Sequence, residues 1–254
     1  MPESLTDRLR PVPTIDAVVP ARNEEPTVAS VVEACLGCRF VREVIVVDDG
    51  STDATAAEAL AAGAKVVARS PADGGGDGSK AHAMAAGVAA SDAEALLFVD
   101  ADLLGLTSSH LDEICLPYVE GRAAMSIGWF DYGVLNPLVL RLPPTTGERI
   151  LPRWVFESVP VSRRHGYNIE LLINQVVAEA RLPTSARIME GVGHRTKRQK
   201  FGYLDGYRRS LQMLAQLAVL VVRGLVRKRS YLHYLRGLTV EGAGRPRPAG
   251  GRSP

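Results

Sequence analysis

The feature that most constrains the fold is an apolar run at residues 95–99 (ALLFV) that ends in Asp100-Ala101-Asp102. A short apolar run bounded by charge is typical of a strand buried in a parallel sheet. In open α/β sheets, ligands bind just outside the carboxyl ends of the strands, which is where both acids then lie. Two carboxylates there can hold a hard divalent cation. The alternative is an exposed loop whose acids cap the next helix, and these three residues alone do not decide between the two.

Predicted strands and helices alternate through the first hundred residues. The strands are expected at 15–19, 44–47, 64–68 and 95–100, and the helices at 26–37, from about 53 to 60, and at 79–89. Pro20 is expected to end the first strand, and Ser51 or Asp53 to cap the second helix. This alternation predicts an α/β fold: a mixed, mostly parallel sheet with helices on both faces.

The pattern becomes irregular after Asp102. Further strands are expected at 123–127 and, as a short edge strand, at 187–190, with helices at 168–180 and 204–228. The expected organisation is a flexible leader (1–12), one domain (13–203) with a regular half (13–104) and a smaller irregular half (105–203), a helical segment (204–240) and a disordered tail (241–254).

Composition excludes several classes of protein. With 254 residues, 46% of them hydrophobic, the chain can bury one full core. Its net charge of +2 argues against nucleic-acid binding. Cys35, Cys38 and Cys115 are too few for a disulfide framework, and the C-x-x-C pair has no second pair. The first residues carry acid and proline where a signal peptide would be apolar, so a cytoplasmic protein is expected.

Four short segments stand at strand ends or helix starts in a recognisable order: VVPARNEE at 18–25, VVDDGSTD at 46–53, GSK at 78–80 and DAD at 100–102. Together they resemble family 2 glycosyltransferases of the GT-A (Rossmann-like) fold. Later segments are similar to the glucosyl-3-phosphoglycerate synthase branch of that family: TGER at 146–149, GYNIELL at 166–172 and GHR at 193–195. Asn168 departs from the glycine usual in that branch, which leaves the acceptor open.

The resemblance implies an enzyme, a metal-dependent hexosyltransferase. It would move a hexose from a nucleoside-diphosphate sugar, with a UDP-sugar favoured, to a small anionic acceptor such as a phosphoglycerate-like hydroxy acid. Residues 13–104 would bind the donor and residues 105–203 the acceptor. The alternatives are glycosyl transfer to a polyprenyl phosphate at the membrane surface and a scaffold that has lost catalysis.

The resemblance also implies a set of donor-binding residues: Pro20, Ala21, Arg22, Asn23, Glu24, Asp48, Gly78, Ser79, Lys80, Asp100 and Ala101. Glu24 would accept hydrogen bonds from the ribose, and Asp48 from the imide N–H of a uracil ring. Alternatively, Glu24 and Glu25 are first-turn acids that stabilise a helix N-terminus. Asp49 and Asp53 are better explained as turn and cap residues.

Lys80 begins a predicted helix directly after the glycine-rich segment 73–78. A lysine at a helix N-terminus is unfavourable for the helix dipole. An anionic diphosphate explains it, because backbone N–H groups and an ammonium group can then bind the same anion. The alternative is a solvated surface lysine.

The implied metal ligands are Asp100, Asp102 and His194, with Asp102 the more direct carboxylate ligand and part of the catalytic site. The ion expected is Mg²⁺ or Mn²⁺, and an imidazole ligand favours Mn²⁺ slightly. The alternative for His194 is an ordinary surface or core histidine.

The acceptor site is expected around Glu170, at the start of the helix predicted at 168–180. Glu170 is either a general base or a group that positions the substrate. The implied acceptor contacts are Thr146, Gly147, Arg149, Tyr167 and Asn168, and Arg149 suits a phosphate or carboxylate. The basic residues at 195–200 are either a solvated face or further anion contacts.

Residues 211–226 are mostly apolar, but Gln212, Gln216 and Arg223 interrupt them. A membrane span needs about 20 nearly uninterrupted apolar residues, so a core-packed or homodimer helix is favoured. The alternative is an interfacial helix that makes peripheral contact with a membrane.

Overall fold

The computed structural model describes residues 12–69, 79–136, 146–160, 169–194 and 237–241. Ten strands lie in these ranges: β1 (Ile15–Ala21), β2 (Val41–Asp48), β3 (Lys65–Ala68), β4 (Ala95–Phe98), β5 (Leu103–Leu104), β6 (Met125–Phe130), β7 (Arg149–Pro152), β8 (Thr184–Met189), β9 (Gly193–His194) and β10 (Leu238–Glu241). The α-helices there are α1 (Glu25–Leu36), α2 (Thr55–Ala61), α3 (Lys80–Ala90), α4 (Ser108–Val119), α5 (Arg153–Glu157) and α6 (Ile169–Glu179).

Eight strands form one mixed sheet in the order β10-β8-β6-β7-β4-β1-β2-β3. Every neighbouring pair is parallel except those of β7, which runs antiparallel to both β4 and β6. Apolar residues of α1, α2 and α4 pack on one face, and those of α3, α5 and α6 on the other. The predicted α/β class, with helices on both faces, is confirmed.

The first strand continues through Pro20 to Ala21, so the prediction that Pro20 ends it is wrong. Val99 N–H donates to the Val18 carbonyl on the β4 side, and Asp49 N–H donates to the Ala21 carbonyl on the β2 side. Because this direction alternates along a strand, the missing N–H of Pro20 faces the side where β4 has already ended. No ladder bond is lost there.

Several predicted boundaries are corrected. Residues 187–190 are not an edge strand, because the longer β8 lies between β6 and β10. The β-branched pair Thr239 and Val240 belongs to β10, so the predicted helical segment (204–240) ends in a strand that includes the first residue of the predicted tail. The residue before α2 is Ala54, without a side-chain cap, although Asp53 Oδ1 accepts from Thr55 N–H.

No helix within the described ranges is long and apolar enough to cross a membrane. The predicted helix at 204–228, the basic residues at 195–200 and nearly all of the predicted leader lie outside those ranges. Cys35, Cys38 and Cys115 are all buried free thiols.

Candidate active site

The candidate metal ligands meet beside a small ribbon at the carboxyl edge of the sheet. Strands β5 and β9 pair antiparallel, with Leu103 opposite His194, so a residue distant in sequence lies next to Asp102. His194 Nδ1 is 2.9 Å from Asp102 Oδ1. One ligand atom each from Asp100, Asp102 and His194 can be chosen so that all three lie within 4.8 Å of one another. Two carboxylates and an imidazole fit a divalent cation such as Mn²⁺.

The charges of this cluster depend on one another. Burial works against ionisation of Asp102, but the hydrogen bond and charge of His194, with the charge of Lys80, hold its pKa below the usual value. Burial likewise works against protonation of His194, but Asp102 first, then Glu148 and Asp100, raise its pKa. The Phe130 ring packs on the imidazole with centroids 4.7 Å apart, which limits its rotation.

Lys80 links the candidate metal ligands to the predicted catalytic residue Glu170. Its Nζ atom lies 2.5 Å from Asp100 Oδ1 and 2.9 Å from Glu170 Oε1. Burial lowers the pKa of Lys80, but these two carboxylates more than offset the effect and raise it. Lys80 is the first residue of α3 and Glu170 lies in the first turn of α6, so two helix N-termini meet here. The site thus carries a fixed ammonium where an anion can bind.

The segment before β7 packs directly against Asp100. A Cβ atom built on Gly147 would come 2.3 Å from Asp100 Oδ1, so any larger residue here would displace the Asp100 carboxylate. The Thr146 hydroxyl donates to Glu148 Oε2. Glu148 is fully buried, and its other oxygen, Oε1, has no hydrogen-bond partner among the described residues. Burial, and then the charge of Asp100, raise the pKa of Glu148 to about 7.

Arg149 does not lie where an acceptor contact was expected. The residue is fully buried in β7, facing α6, and its guanidinium donates to the carbonyls of Thr146 and Glu170 and to Asn174 Oδ1. These bonds tie the segment that packs on Asp100 to the helix that carries Glu170. The structure therefore gives Arg149 a supporting role, and its direct contact with an acceptor stays a prediction.

The loops after β1 and β2 are held together by hydrogen bonds. Asn23 has a left-handed backbone (φ 56°), its N–H donates to Ser51 Oγ, and its side-chain oxygen accepts from Thr52 N–H. Glu24 Oε2 accepts from the Thr27 hydroxyl, and Asp48 Oδ1 accepts from Ser51 N–H. Asn23 therefore joins the two loops from which the nucleotide-binding residues were predicted.

Asp49, expected as a turn residue, has a different contact. Its carboxylate pairs with Arg69 at 2.5 Å, and both side chains are nearly buried. Arg69 N–H also donates to the Asp48 carbonyl, so this pair braces the ends of β2 and β3 behind the predicted base-binding residue. No sequence pattern pointed to Arg69, because it follows a short strand without a motif.

The structure places many of the predicted residues along the carboxyl edge of the sheet. They are the predicted residues of the first two loops, together with Ser79, Lys80, Asp100, Ala101, Asp102, Thr146, Gly147, Glu170 and His194. Gly78, Tyr167 and Asn168 lie outside the described residues. Glu148 was not predicted as a site residue. Its position between Gly147 and Arg149 in the motif was the one indication that it belongs to the site. Its burial could not be predicted from a motif of four residues.

An α/β fold of this kind, with an Asp-x-Asp pair of candidate metal ligands at the end of a central strand, is typical of enzymes that transfer glycosyl groups from nucleotide sugars. Residues 16–165 match the model of glycosyl transferase family 2, which is more than half of the chain. The chain belongs to glycosyl transferase family 2, and its fold is the GT-A fold.

Relatives with known names agree with this assignment. The glucosyl-3-phosphoglycerate synthase of Mycolicibacterium smegmatis is 45% identical over 193 residues, covering 63% of this chain and 63% of the relative. The chain thus spans less than two thirds of that relative's length.

Two solved structures of the Mycobacterium tuberculosis glucosyl-3-phosphoglycerate synthase are also similar. One, with Mn²⁺, uridine-diphosphate-glucose and phosphoglyceric acid, has 27% identity and a TM-score of 0.60, covering 77% of this chain and 74% of that one. Another, with Mn²⁺, uridine diphosphate and glucosyl-3-phosphoglycerate, has 25% identity and a TM-score of 0.62, covering 84% and 78%.

Proposed function

We propose that this protein transfers a hexose from a UDP-sugar to a small anionic acceptor of the phosphoglycerate type, in the cytoplasm. The observation that carries the proposal is the cluster of Asp100, Asp102 and His194 beside the Lys80 ammonium, at the carboxyl edge of a family 2 sheet. Similar proteins solved with Mn²⁺, UDP-glucose and phosphoglyceric acid support this choice of donor, ion and acceptor.

Asp100, Asp102 and His194 would hold a Mg²⁺ or Mn²⁺ ion, which when bound stabilises negative charge on a departing diphosphate. Lys80 would exchange part of its contact with Asp100 and Glu170 for a phosphate oxygen, adding a charge-assisted hydrogen bond. The loop from Pro20 to Glu24 and the Asp48 carboxylate would bind the nucleoside.

Glu170 would act on the acceptor side of the site. Its carboxylate is buried and held by Lys80, and its backbone carbonyl is held by Arg149, so its position is fixed before a substrate arrives. A fixed carboxylate can accept a hydrogen bond from a substrate hydroxyl. Taking the proton of that hydroxyl would make it the general base of an inverting transfer, whereas a retaining transfer needs only the hydrogen bond.

The polyprenyl-phosphate alternative depends on residues 211–229, which lie outside the described residues, as does the predicted dimer helix. We retain the small acceptor as the proposal, because a similar protein was solved with phosphoglyceric acid.

The first test is thermal unfolding with a panel of nucleoside-diphosphate sugars, each with and without Mn²⁺. A donor at about 100 times its dissociation constant adds roughly 2.7 kcal/mol to the free energy of unfolding. We expect a UDP-sugar to raise the melting temperature only with Mn²⁺, and Asp102→Asn to abolish the rise. Asp92→Asn is the matched control, because this exposed carboxylate precedes β4 at the opposite edge of the sheet.

The second test supplies the preferred donor with phosphoglycerate or with a polyprenyl phosphate and measures UDP release. Faster release with phosphoglycerate supports the proposal, and faster release with the lipid acceptor replaces it with the alternative. A donor shift independent of both Mn²⁺ and Asp102 would contradict the metal site.

A further inference from the structure

The strongest unexplained feature of the site is the buried carboxylate of Glu148. It is fully buried, Thr146 holds only Oε2, and Oε1 has no hydrogen-bond partner among the described residues. Leaving a buried polar atom without a partner costs about 1–3 kcal/mol, and more for a charged group. An oxygen retained at that cost beside a ligand site indicates a partner that arrives with the ligand.

Glu148 lies on the same side of the sheet as His194. Its Cβ is the atom that a side chain at Gly128 would meet at 3.0 Å, and Phe130, two residues further along β6, packs on the His194 ring. Side chains two apart in a strand share a face. The charge of Glu148, like that of Asp100, raises the pKa of the imidazole.

One ring nitrogen of His194 already has a partner. Nδ1 lies 2.9 Å from Asp102 Oδ1, so this nitrogen faces another of the candidate ligands. A histidine that binds a metal through one nitrogen carries its proton on the other, and this N–H is nearly always donated to a carboxylate, a carbonyl or a water. Within the described residues, Glu148 Oε1 is a buried acceptor on that face that is still free to take it.

We propose that Glu148 is a positioning residue for the metal site: its Oε1 accepts the Nε2–H of His194, directly or through one water, when His194 binds the cation. The inference rests on the proposed function, because it assumes that Asp100, Asp102 and His194 form a metal site. Glu148 thereby fixes the tautomer and orientation of the imidazole and increases its basicity as a ligand.

The test is the affinity for Mn²⁺ alone, measured by electron paramagnetic resonance on the full chain, for wild type, Glu148→Gln, His194→Gln and the double variant. We expect Glu148→Gln to weaken binding about tenfold or more. In the His194→Gln background the same change should have little effect, because its target is already removed. The Glu120→Gln variant is the control, since this half-exposed residue ends α4 on the far side of the domain.

Three results separate the possible failures. Wild type that binds no Mn²⁺, or that binds it equally well after His194→Gln, overturns the proposed metal site itself. Normal Mn²⁺ binding by Glu148→Gln overturns the inference and leaves the proposed function intact. If Glu148→Gln weakens Mn²⁺ binding by the same factor in wild type and in His194→Gln, Glu148 acts by its charge alone, which also overturns the inference. Circular dichroism of each variant in chelator confirms that it is folded.

Discussion

Gly147 and Asp100 are in direct contact: a Cβ atom at position 147 would lie 2.3 Å from Asp100 Oδ1 and 2.5 Å from Oδ2. The first prediction follows from this contact. In Gly147→Ala the carboxylate must move from its place beside Lys80, because two atoms cannot approach so closely. We expect Mn²⁺ affinity to fall about tenfold or more, as for other changes that misplace a ligand.

Gly193→Ala is the matched control for that prediction. Gly193 directly precedes His194, yet its added methyl group would meet no atom of the described residues within 4 Å. Calorimetric titration with Mn²⁺ should therefore give nearly the wild-type affinity for this variant. Equal losses in both variants would show that the contact with Asp100 does not matter.

The second prediction concerns the Lys80 ammonium. Lys80→Met should weaken UDP binding in the presence of Mn²⁺ about tenfold to a hundredfold, since a hydrogen bond from a charged group contributes about 1.5–3 kcal/mol. Lys65→Met is the control, because Lys65 is half-exposed and its Nζ atom lies 3.5 Å from Glu43 Oε2 in a weak surface ion pair. Calorimetry of UDP binding measures both, and an unchanged affinity in Lys80→Met would exclude Lys80 from the diphosphate site.

The sequence predicted those site residues that directly follow regular strands. Asp100 and Asp102 follow a continuous apolar run, and Lys80 follows a glycine-rich segment, so local pattern predicted the strand end and the helix start where they lie, and the family resemblance implied their roles. His194 was predicted only from a family resemblance. Its approach to Asp102 depends on the pairing of β5 with β9, two strands of two residues each, and so short a strand leaves no periodicity.

The irregular half shows why the rest of the site was not predictable. Strand β7 has four residues, ends in Pro152 and runs antiparallel in a mostly parallel sheet, so no alternation revealed it. The motif therefore predicted Arg149 as an acceptor contact and assigned no role to Glu148. Burial in this strand comes from β4 and β6 on either side, which is tertiary information.

The third prediction separates the two roles considered for Arg149. Arg149→Lys should lower the free energy of unfolding by about 2–4 kcal/mol, because lysine cannot serve all three acceptors of the guanidinium. Arg122→Lys, at a half-exposed pair with Glu120, should change it by less than about 1 kcal/mol. Urea denaturation measures both. If Arg149→Lys is as stable as Arg122→Lys and loses only acceptor affinity, Arg149 contacts the acceptor after all.

The last prediction is a pH dependence of stability caused by Glu148. Burial and Asp100 raise its pKa from the ordinary 4.5 to about 7, against the opposing effects of Thr146, Lys80 and His194. The folded protein therefore holds this proton more tightly than the unfolded chain does. The resulting stabilisation is complete below pH 4.5 and is lost as the pH rises through about 7.

Glu148→Gln isolates this effect, because glutamine resembles the protonated acid and does not titrate. In chelator, the melting temperatures of wild type and variant should be closest near pH 4.5, where the wild-type side chain is neutral. As the pH rises through about 7, wild type should lose stability relative to the variant, because it must then ionise a buried carboxylate beside Asp100. A difference that stays constant over this range would show that Glu148 titrates as an ordinary exposed acid does. In that case, its carboxylate cannot be held in the buried position from which it would orient His194.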